Sequence, residues 1–282
     1  MFKVDGIELV CPLCKGELVI VRGNELFGVL KCSSCGSLYP LGNYFPGVPD
    51  LRPRELRIKV FEVAWFKAFG IKCKQQYGID VDRRILELPY YIALVKEQYS
   101  TEYCSEVERM FLEEFKKTVG EGNVLSIGCG DGRELRLIEK RSLGVDILPS
   151  NIILSNSLGV KAILADMFSL PFNEEVFDGV LAIQSLEYVP LRLTHKVLLE
   201  IHRILKPSGV ILLSLEKSCS GGCDVDKKFN YVYEDEYVKV KKHFHRGWGK
   251  EGLKAISRVF KILKLGEDKG YYYVLATKDI LQ

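Results

Sequence analysis

The sequence is short of the features that would place it in a membrane or mark it as a strong polyanion binder. No run of 18 apolar residues occurs, so no helix of membrane-spanning length is expected. The opening Met1-Phe-Lys-Val-Asp-Gly6 has no apolar core of the signal-peptide kind, which points to a cytoplasmic chain. The formal net charge is only +3, from 40 basic and 37 acidic residues, so charge alone announces no nucleic-acid partner. Internal repeats and low-complexity stretches are absent as well. What remains is an ordinary globular chain whose 282 residues suggest about two domains.

Cysteine, by contrast, is not scarce, and four of the nine are arranged in pairs: Cys11-Pro-Leu-Cys14 and Cys32-Ser-Ser-Cys35. Each pair forms a tight knuckle with both sulfurs aimed at one point. Gly16 and Gly36 follow where such knuckles need a left-handed turn. Between the pairs, Leu18–Val21 and Leu26–Leu30 read as a hairpin about the polar turn Arg22–Glu25, which returns the second knuckle beside the first. Four thiolates converging in this way bind zinc tetrahedrally, and a cytoplasmic setting disfavours disulfides. So small a region lacks a core of its own, so metal supplies its stability.

The second motif is Asn123-Val-Leu-Ser-Ile-Gly-Cys-Gly-Asp-Gly132. An apolar strand, Val124–Ile127, ends in Gly128-x-Gly130-x-Gly132 and passes into a helical pattern from Glu134 to Glu139. Glycines there let backbone approach a ligand, and amides at the helix start face it. Leu143-Gly-Val-Asp146 is a second strand ending in a carboxylate able to accept both hydroxyls of a ribose. Val160–Asp166 is a third strand with a terminal acid, and Phe177–Ile183 a fourth. An amphipathic helix, Val197–Leu205, is stopped by Lys206-Pro-Ser-Gly209, and Val210–Leu215 is a fifth strand. Arg258–Leu265 and Tyr271–Lys278 form a hairpin, so an antiparallel strand joins a parallel sheet.

Dehydrogenases and methyltransferases share that layout. Gly128–Gly132, Gly144-Val-Asp146, Ala165-Asp166, Leu170-Pro-Phe172, Phe177-Asp178 and Glu200–Gly209 closely resemble the class I S-adenosylmethionine-dependent methyltransferases. The resemblance runs from about residue 99 to 278 and lies in the subgroup acting on small molecules and RNA. It implies an α/β fold with a Rossmann-like seven-stranded sheet whose last strand is antiparallel. It implies S-adenosylmethionine as cofactor, held by Tyr99 (or Tyr103), Ser126, Gly128, Cys129, Gly130, Asp131, Gly132, Asp146, Ile147, Asp166, Met167 and Gln184. Ser126 departs from the pattern, since relatives carry an acid there to orient the methionine amino group. The cysteine-rich segment resembles two ribbons, that of the rRNA guanine methyltransferases and that of the zinc-ribbon subunit activating tRNA, rRNA and protein methyltransferases. The second likeness rests also on Tyr39-Pro through Gly47-Val-Pro-Asp-Leu51.

Three regions follow: a zinc ribbon over 1–52, a helical linker or cap over 53–98, and the methyltransferase domain over 99–282. In the linker, Leu56–Phe69 has helical period, Asp80 and Asp82 suit a cap, and a further helix runs from Glu102 to Val119. Glu216–Ser257 is longer than a connection needs, and the family's chain covers the substrate there. Its segment Lys239–Lys250 interleaves Lys, His243, His245, Arg246 and Trp248, a pattern suited to phosphate and a stacked base. Cys219 and Cys223 lie in a Ser/Gly loop and read as incidental. Glu187, Tyr188, His243 and His245 are the candidates for acceptor contact. The Asn-Pro-Pro-Tyr motif of exocyclic-amine methylators is absent. Three functions stay open: an RNA methyltransferase whose ribbon helps hold RNA, a small-molecule methyltransferase with a structural ribbon, and a non-catalytic partner. Oligomeric state is open too.

Overall fold

The computed structural model describes residues 1–54, 105–138, 141–189, 191–217 and 249–278. Tyr99, Tyr103, the helices expected at 56–69 and after Asp80, Cys219, Cys223, His243, His245 and most of Lys239–Lys250 lie outside them.

The chain opens with a hairpin that the sequence reading passed over, β1 (Phe2–Val4) against β2 (Ile7–Leu9). Its turn is Asp5-Gly6 with φ of 50° and 75°. Both lie in the left-handed region that a two-residue hairpin turn of this hand requires, and Asp-Gly is a standard sequence for it. The ribbon proper is an antiparallel sheet of β3 (Leu18–Gly23), β4 (Gly28–Cys32) and β5 (Leu38–Leu41). The hairpin turn falls at Asn24–Phe27, later than expected. There the Asn24 carboxamide oxygen accepts the amides of Leu26 and Phe27 at 2.9 and 3.0 Å. A side chain that caps its own turn fixes where the strands part.

The remainder is a sheet with helices on both faces. In order come α1 (Glu106–Val119), β6 (Val124–Ile127), α2 (Arg133–Ile138), β7 (Ser142–Asp146) and α3 (Pro149–Ser157). After them come β8 (Ala162–Leu164), β9 (Phe177–Ala182), a 3-10 turn (Leu186–Tyr188) and α4 (Leu191–Ile204). Last are β10 (Leu205–Glu216), α5 (Gly249–Ile256), β11 (Lys261–Glu267) and β12 (Tyr271–Thr277). Helix α1 follows its cap, Ser105, whose hydroxyl accepts the Glu108 amide at 3.1 Å; the sequence alone put the first helical residue at Glu102 rather than Glu106. Helix α4 ends at Ile204, one residue before the expected end, and Lys206–Gly209 form an irregular stretch within β10, whose register against β9 shifts between Leu205 and Val210. Pro207 cannot donate to a ladder, and an irregularity is where a strand tolerates it.

The strand order is β11-β12-β10-β9-β6-β7-β8. Strands β6 to β10 are parallel, and β12 runs antiparallel between β10 and β11. This is the seven-stranded sheet expected from the motifs. The chain departs in opposite directions from β6 and β9, so a crevice opens between their carboxyl ends.

Alternate residues of β6 feed two cores. Val124 joins Phe111, Phe115, Leu135, Leu212 and Tyr273 on one face. Leu125 and Ile127 join the other, and that core is not confined to the sheet and its helices. It takes in Leu9, Leu18, Leu30, Tyr39, Leu41 and Leu51 of the ribbon together with Leu164, Leu170 and Phe172. The ribbon also prolongs the sheet at its β8 edge. Asp50 pairs in parallel with Leu164, the Leu51 amide donates to Leu164 O at 2.8 Å, and the Leu164 amide donates to Pro49 O at 3.3 Å. Among the described residues no helix is long and apolar enough to cross a membrane.

Candidate functional site

The first centre is the cysteine cluster. The sulfurs of Cys11, Cys14, Cys32 and Cys35 all lie within 4.8 Å of one another. Sγ of Cys11 is 3.7 Å from that of Cys35, and Sγ of Cys14 is 3.4 Å from that of Cys32. Four sulfurs at the zinc–sulfur bond length stand about 3.8 Å apart on a tetrahedron, so the set fits zinc. Each knuckle closes by a backbone turn, Lys15 N to Cys11 O at 2.8 Å and Gly36 N to Cys32 O at 3.0 Å. Gly36 has the expected left-handed φ of 74°, but in the first knuckle Lys15 takes that conformation with φ 59°. Gly16 is needed for space, because a Cβ there would stand 2.8 Å from Cys32 Sγ.

The charges of the cluster point to a cation. The Ser37 hydroxyl beside Cys35 holds that thiol down at about 6. A backbone bond at Gly16 favours the Cys14 thiolate, yet the neighbouring Cys32 and Cys35 sulfurs push it up to about 12. Four sulfurs this close cannot all ionise without a positive charge between them. Tyr39, buried beneath, places its hydroxyl 3.1 Å from Cys11 Sγ.

The second centre is the crevice at the carboxyl ends of β6, β7 and β9. Gly128, Gly130 and Gly132 all have positive φ, from 55° to 77°. Their roles differ. A Cβ on Gly128 would lie 2.5 Å from Ser185 Cβ, and one on Gly132 would lie 2.8 Å from Val160, so these two serve close packing. At Gly130 a Cβ would meet nothing within 4 Å, so this position opens onto free space. Four of the turn's amides are taken up within the fold. Gly128 and Cys129 donate to Val145 O, Gly132 donates to Cys129 O, and Gly130 donates to Asp146 Oδ2 at 3.0 Å.

Asp146 is buried at the end of β7. Its Oδ1 accepts the Leu148 amide at 2.9 Å, and its Oδ2 accepts the Asn151 carboxamide at 3.0 Å as well as Gly130. Burial raises its pKa, and those hydrogen bonds oppose the rise. A carboxylate offers about four acceptor positions. A ribose therefore competes here with protein donors, which sequence reasoning did not anticipate. Asp166, at the end of β8, is half-buried, and its Oδ1 caps the following turn through the Phe168 amide at 3.0 Å. Ile147 and Met167 are half-buried beside these acids.

Other candidates fall into structural places. Cys129 is buried with its sulfur over Gly144, where a Cβ would stand 2.6 Å from it, and burial pushes the thiol well up. Asp131 binds the start of α2 through the Arg133 amide and Arg136 at 3.2 and 2.9 Å. Ser126 is buried within β6. On β9's far end, Gln184 is exposed with φ 48°, its amide held by Ser214 Oγ at 2.7 Å. Glu187 is buried; Oε1 accepts the Glu216 amide at 3.2 Å, and Oε2 has no hydrogen-bond partner among the described residues. Burial pushes its carboxyl up to about 7. The Ser185 hydroxyl, against Gly128, is likewise buried with no such partner among them. Each such buried atom calls for a partner, whether a water, an ion or a bound group. Tyr188 closes the 3-10 turn.

The sequence reading missed the seam between the two centres. Ser169 Oγ donates to Pro12 O at 2.5 Å, Val10 N to Pro171 O at 3.0 Å, and Lys15 Nζ to Leu170 O at 2.8 Å. Arg52, 1% exposed, forks onto Asp50 at 2.9 and 2.8 Å and donates through its other terminal nitrogen to Ile147 O at 3.1 Å. In the sequence the pair shows merely as Asp50 and Arg52 two residues apart, with nothing to mark either as buried.

Residues 125–213 match the methyltransferase domain, and residues 9–43 match the Trm112p-like proteins. The chain is 28% identical to the uncharacterized protein MJ1123 of Methanocaldococcus jannaschii over 64% of its own length and 77% of the relative's. It is 30% identical to the sterol 4-C-methyltransferase strm-1 of Caenorhabditis elegans over 51% of this chain and 44% of that one. It is also 30% identical to the tRNA (carboxymethyluridine(34)-5-O)-methyltransferase of Arabidopsis thaliana, over 36% and 26%. The match thus spans less than half the length of the two relatives named for a methyl-transfer reaction.

Proposed function

We propose that this chain, which belongs to the S-adenosylmethionine-dependent methyltransferases by its domain at 125–213 and carries a Trm112p-like zinc ribbon at 9–43, methylates an RNA acceptor. The observation that carries the methyltransferase reading is the set of groups gathered along the carboxyl ends of β6, β7, β8 and β9. It joins a glycine turn open at Gly130, two strand-terminal carboxylates, Asp146 and Asp166, and the unpartnered oxygens of Ser185 and Glu187.

In this reading Asp146 accepts from the ribose, with Asn151 or Gly130 giving way, and Asp166 approaches the adenine amine. Gly130 leaves room for the methionine end. When bound, the cofactor supplies a methyl group already activated by its sulfonium for in-line attack. The protein's work is then to hold the two partners in line and exclude water. Glu187, poised near neutrality, receives a proton from an acceptor that must lose one. Its companion candidates for acceptor contact are Tyr188, His243 and His245.

An RNA acceptor draws support from the likeness to a tRNA methyltransferase, from the Trm112p-like ribbon, and from the interleaved basic and aromatic residues of 239–250. The likeness to a sterol methyltransferase favours a second reading, a small-molecule enzyme with a bracing ribbon. One experiment separates them. Labelled methyl transfer is measured from S-adenosylmethionine to total RNA from cells lacking the gene, and in parallel to their small-molecule extract. Label in RNA, together with a salt dependence of RNA binding that flattens by up to about three units of slope when Lys241, Lys242 and Arg246 are neutralised, supports the first. Label only in the extract supports the second. Calorimetry with no heat of cofactor binding rules out both.

A further inference from the structure

The ribbon touches the domain at both ends of one segment. At its start, Leu164 is paired with Pro49 and Leu51. At its finish, Ser169, Leu170 and Pro171 are held by Pro12, Lys15 and Val10, the residues of the first cysteine knuckle and its approach. Asp166 and Met167 lie between these anchor points. A third hold reaches the neighbouring strand end, where the Arg52 guanidinium donates to the carbonyl of Ile147, the residue after Asp146. The Asp50–Arg52 pair is itself almost fully buried, at 3% and 1% exposure, and the guanidinium also reaches Tyr44 OH at 3.4 Å. A bidentate arginine has its orientation set by the carboxylate, so Asp50 aims Arg52 at Ile147.

Two strand ends that carry the nucleoside-side residues are therefore held by a unit whose own order depends on metal. We propose that the Asp50–Arg52 pair positions Ile147, and with it the strand end that carries Asp146, for the nucleoside half of the cofactor, so that zinc in the ribbon and cofactor in the domain strengthen each other's binding. This rests on the cofactor reading above. Reciprocity is a thermodynamic requirement: whatever factor zinc adds to cofactor affinity, cofactor adds to zinc affinity.

The test uses the full, zinc-loaded chain and two probes, S-adenosylhomocysteine and adenosine. Arg52→Met alone would strand a buried carboxylate, so it is combined with Asp50→Asn; Arg52→Lys keeps the charge without the fork. With zinc still bound at one per chain, the double variant is expected to bind both probes about tenfold more weakly, the ordinary size of coupling between two sites. Arg52→Lys falls between it and the unaltered protein. Equal loss for both probes, in variants whose thermal melts show them fully folded at the assay temperature, assigns the effect to the nucleoside half. Unchanged dissociation constants in a zinc-loaded double variant overturn the proposal. Should that variant fail to fold, hydrogen exchange on the unaltered protein decides. S-adenosylhomocysteine should slow exchange at the Val10 and Leu51 amides, and binding without any protection in the ribbon overturns the proposal equally. No binding of either probe to the unaltered protein is a different result, the failure of the cofactor reading itself.

Discussion

The ribbon and the sheet domain solve the same problem by different means. The sheet buries both its faces, one under α1 and α2 and the other under α4 and the ribbon, and leaves few large apolar side chains in water. The ribbon cannot close a core, and Leu13, Val21, Leu26, Phe27 and Leu38 are all more than half exposed, at 52–67%. What apolar surface it does bury, at Leu9, Leu18, Leu30, Leu41 and Leu51, it buries jointly with the domain. A small unit of this kind needs a metal inside and a neighbour outside. The lesson is that a sequence segment with its own motif need not be an independent folding unit.

The sharpest way to break the comparison is to remove the metal. Cys14→Ser is expected to drop zinc well below one per chain by elemental analysis and to abolish exchange protection over residues 1–52. If the shared core matters, the domain also loses packing around Leu164, Leu170 and Phe172. Its stability then falls by about 2–5 kcal/mol, the scale of one or two lost large aliphatic contacts, and its melting temperature by several degrees. A domain that melts unchanged without zinc would make the two regions separate after all.

Asp146→Ala sharpens the contrast from the other side, since it strikes the domain's site and leaves the ribbon alone. Protein donors already occupy much of that carboxylate, so the loss on removing it is expected to be about 10- to 100-fold in S-adenosylhomocysteine affinity by calorimetry, about 1.4–3 kcal/mol. Zinc content should not change. Full affinity in this variant would move the ribose elsewhere.

The smallest effect concerns buried charge within the domain. Burial raises Glu187 from 4.5 to about 7, so its neutral form is the one the fold prefers. The stability this contributes is complete below about pH 4.5 and is lost as pH rises through about 7. Glu187→Gln keeps an oxygen for the Glu216 amide and never ionises. It should match the unaltered protein at pH 4.5 and exceed it by about 1–2 kcal/mol at pH 8 in urea unfolding. Methyl transfer should show the opposite trend, with the rise through neutral pH absent in the variant. Equal stability at both pH values would mean that water reaches Glu187 freely.

Much of the molecule was open to local reading. The cysteine spacing, the glycine turn, the strand-terminal aspartates and the tail hairpin each follow from short-range rules: ligand geometry, backbone freedom at glycine, and side-chain period. The Asp5-Gly6 hairpin was equally readable, since its turn signal stands in plain sight. Element ends were less so. The start of α1 depended on which residue caps it, and Lys206–Gly209, besides ending α4, proved to be the irregular opening of β10 between Leu205 and Val210, which pair with β9.

What no local rule could supply was everything that depends on two distant segments meeting. That Gly128 packs on Ser185, that the turn's amides are used by Val145 and Asp146, and that Cys129 packs against Gly144 are products of the crossover order of the sheet. The same holds for Arg52 on Ile147 and Lys15 on Leu170. A sequence states which side chains a segment carries and what turn its backbone prefers. Partners are chosen by burial, which is a property of the whole folded chain. So the cysteine cluster and the sheet were determined by the sequence as written, whereas the union of ribbon and domain was decided only when the β8 edge and the ribbon's apolar face found nowhere else to go.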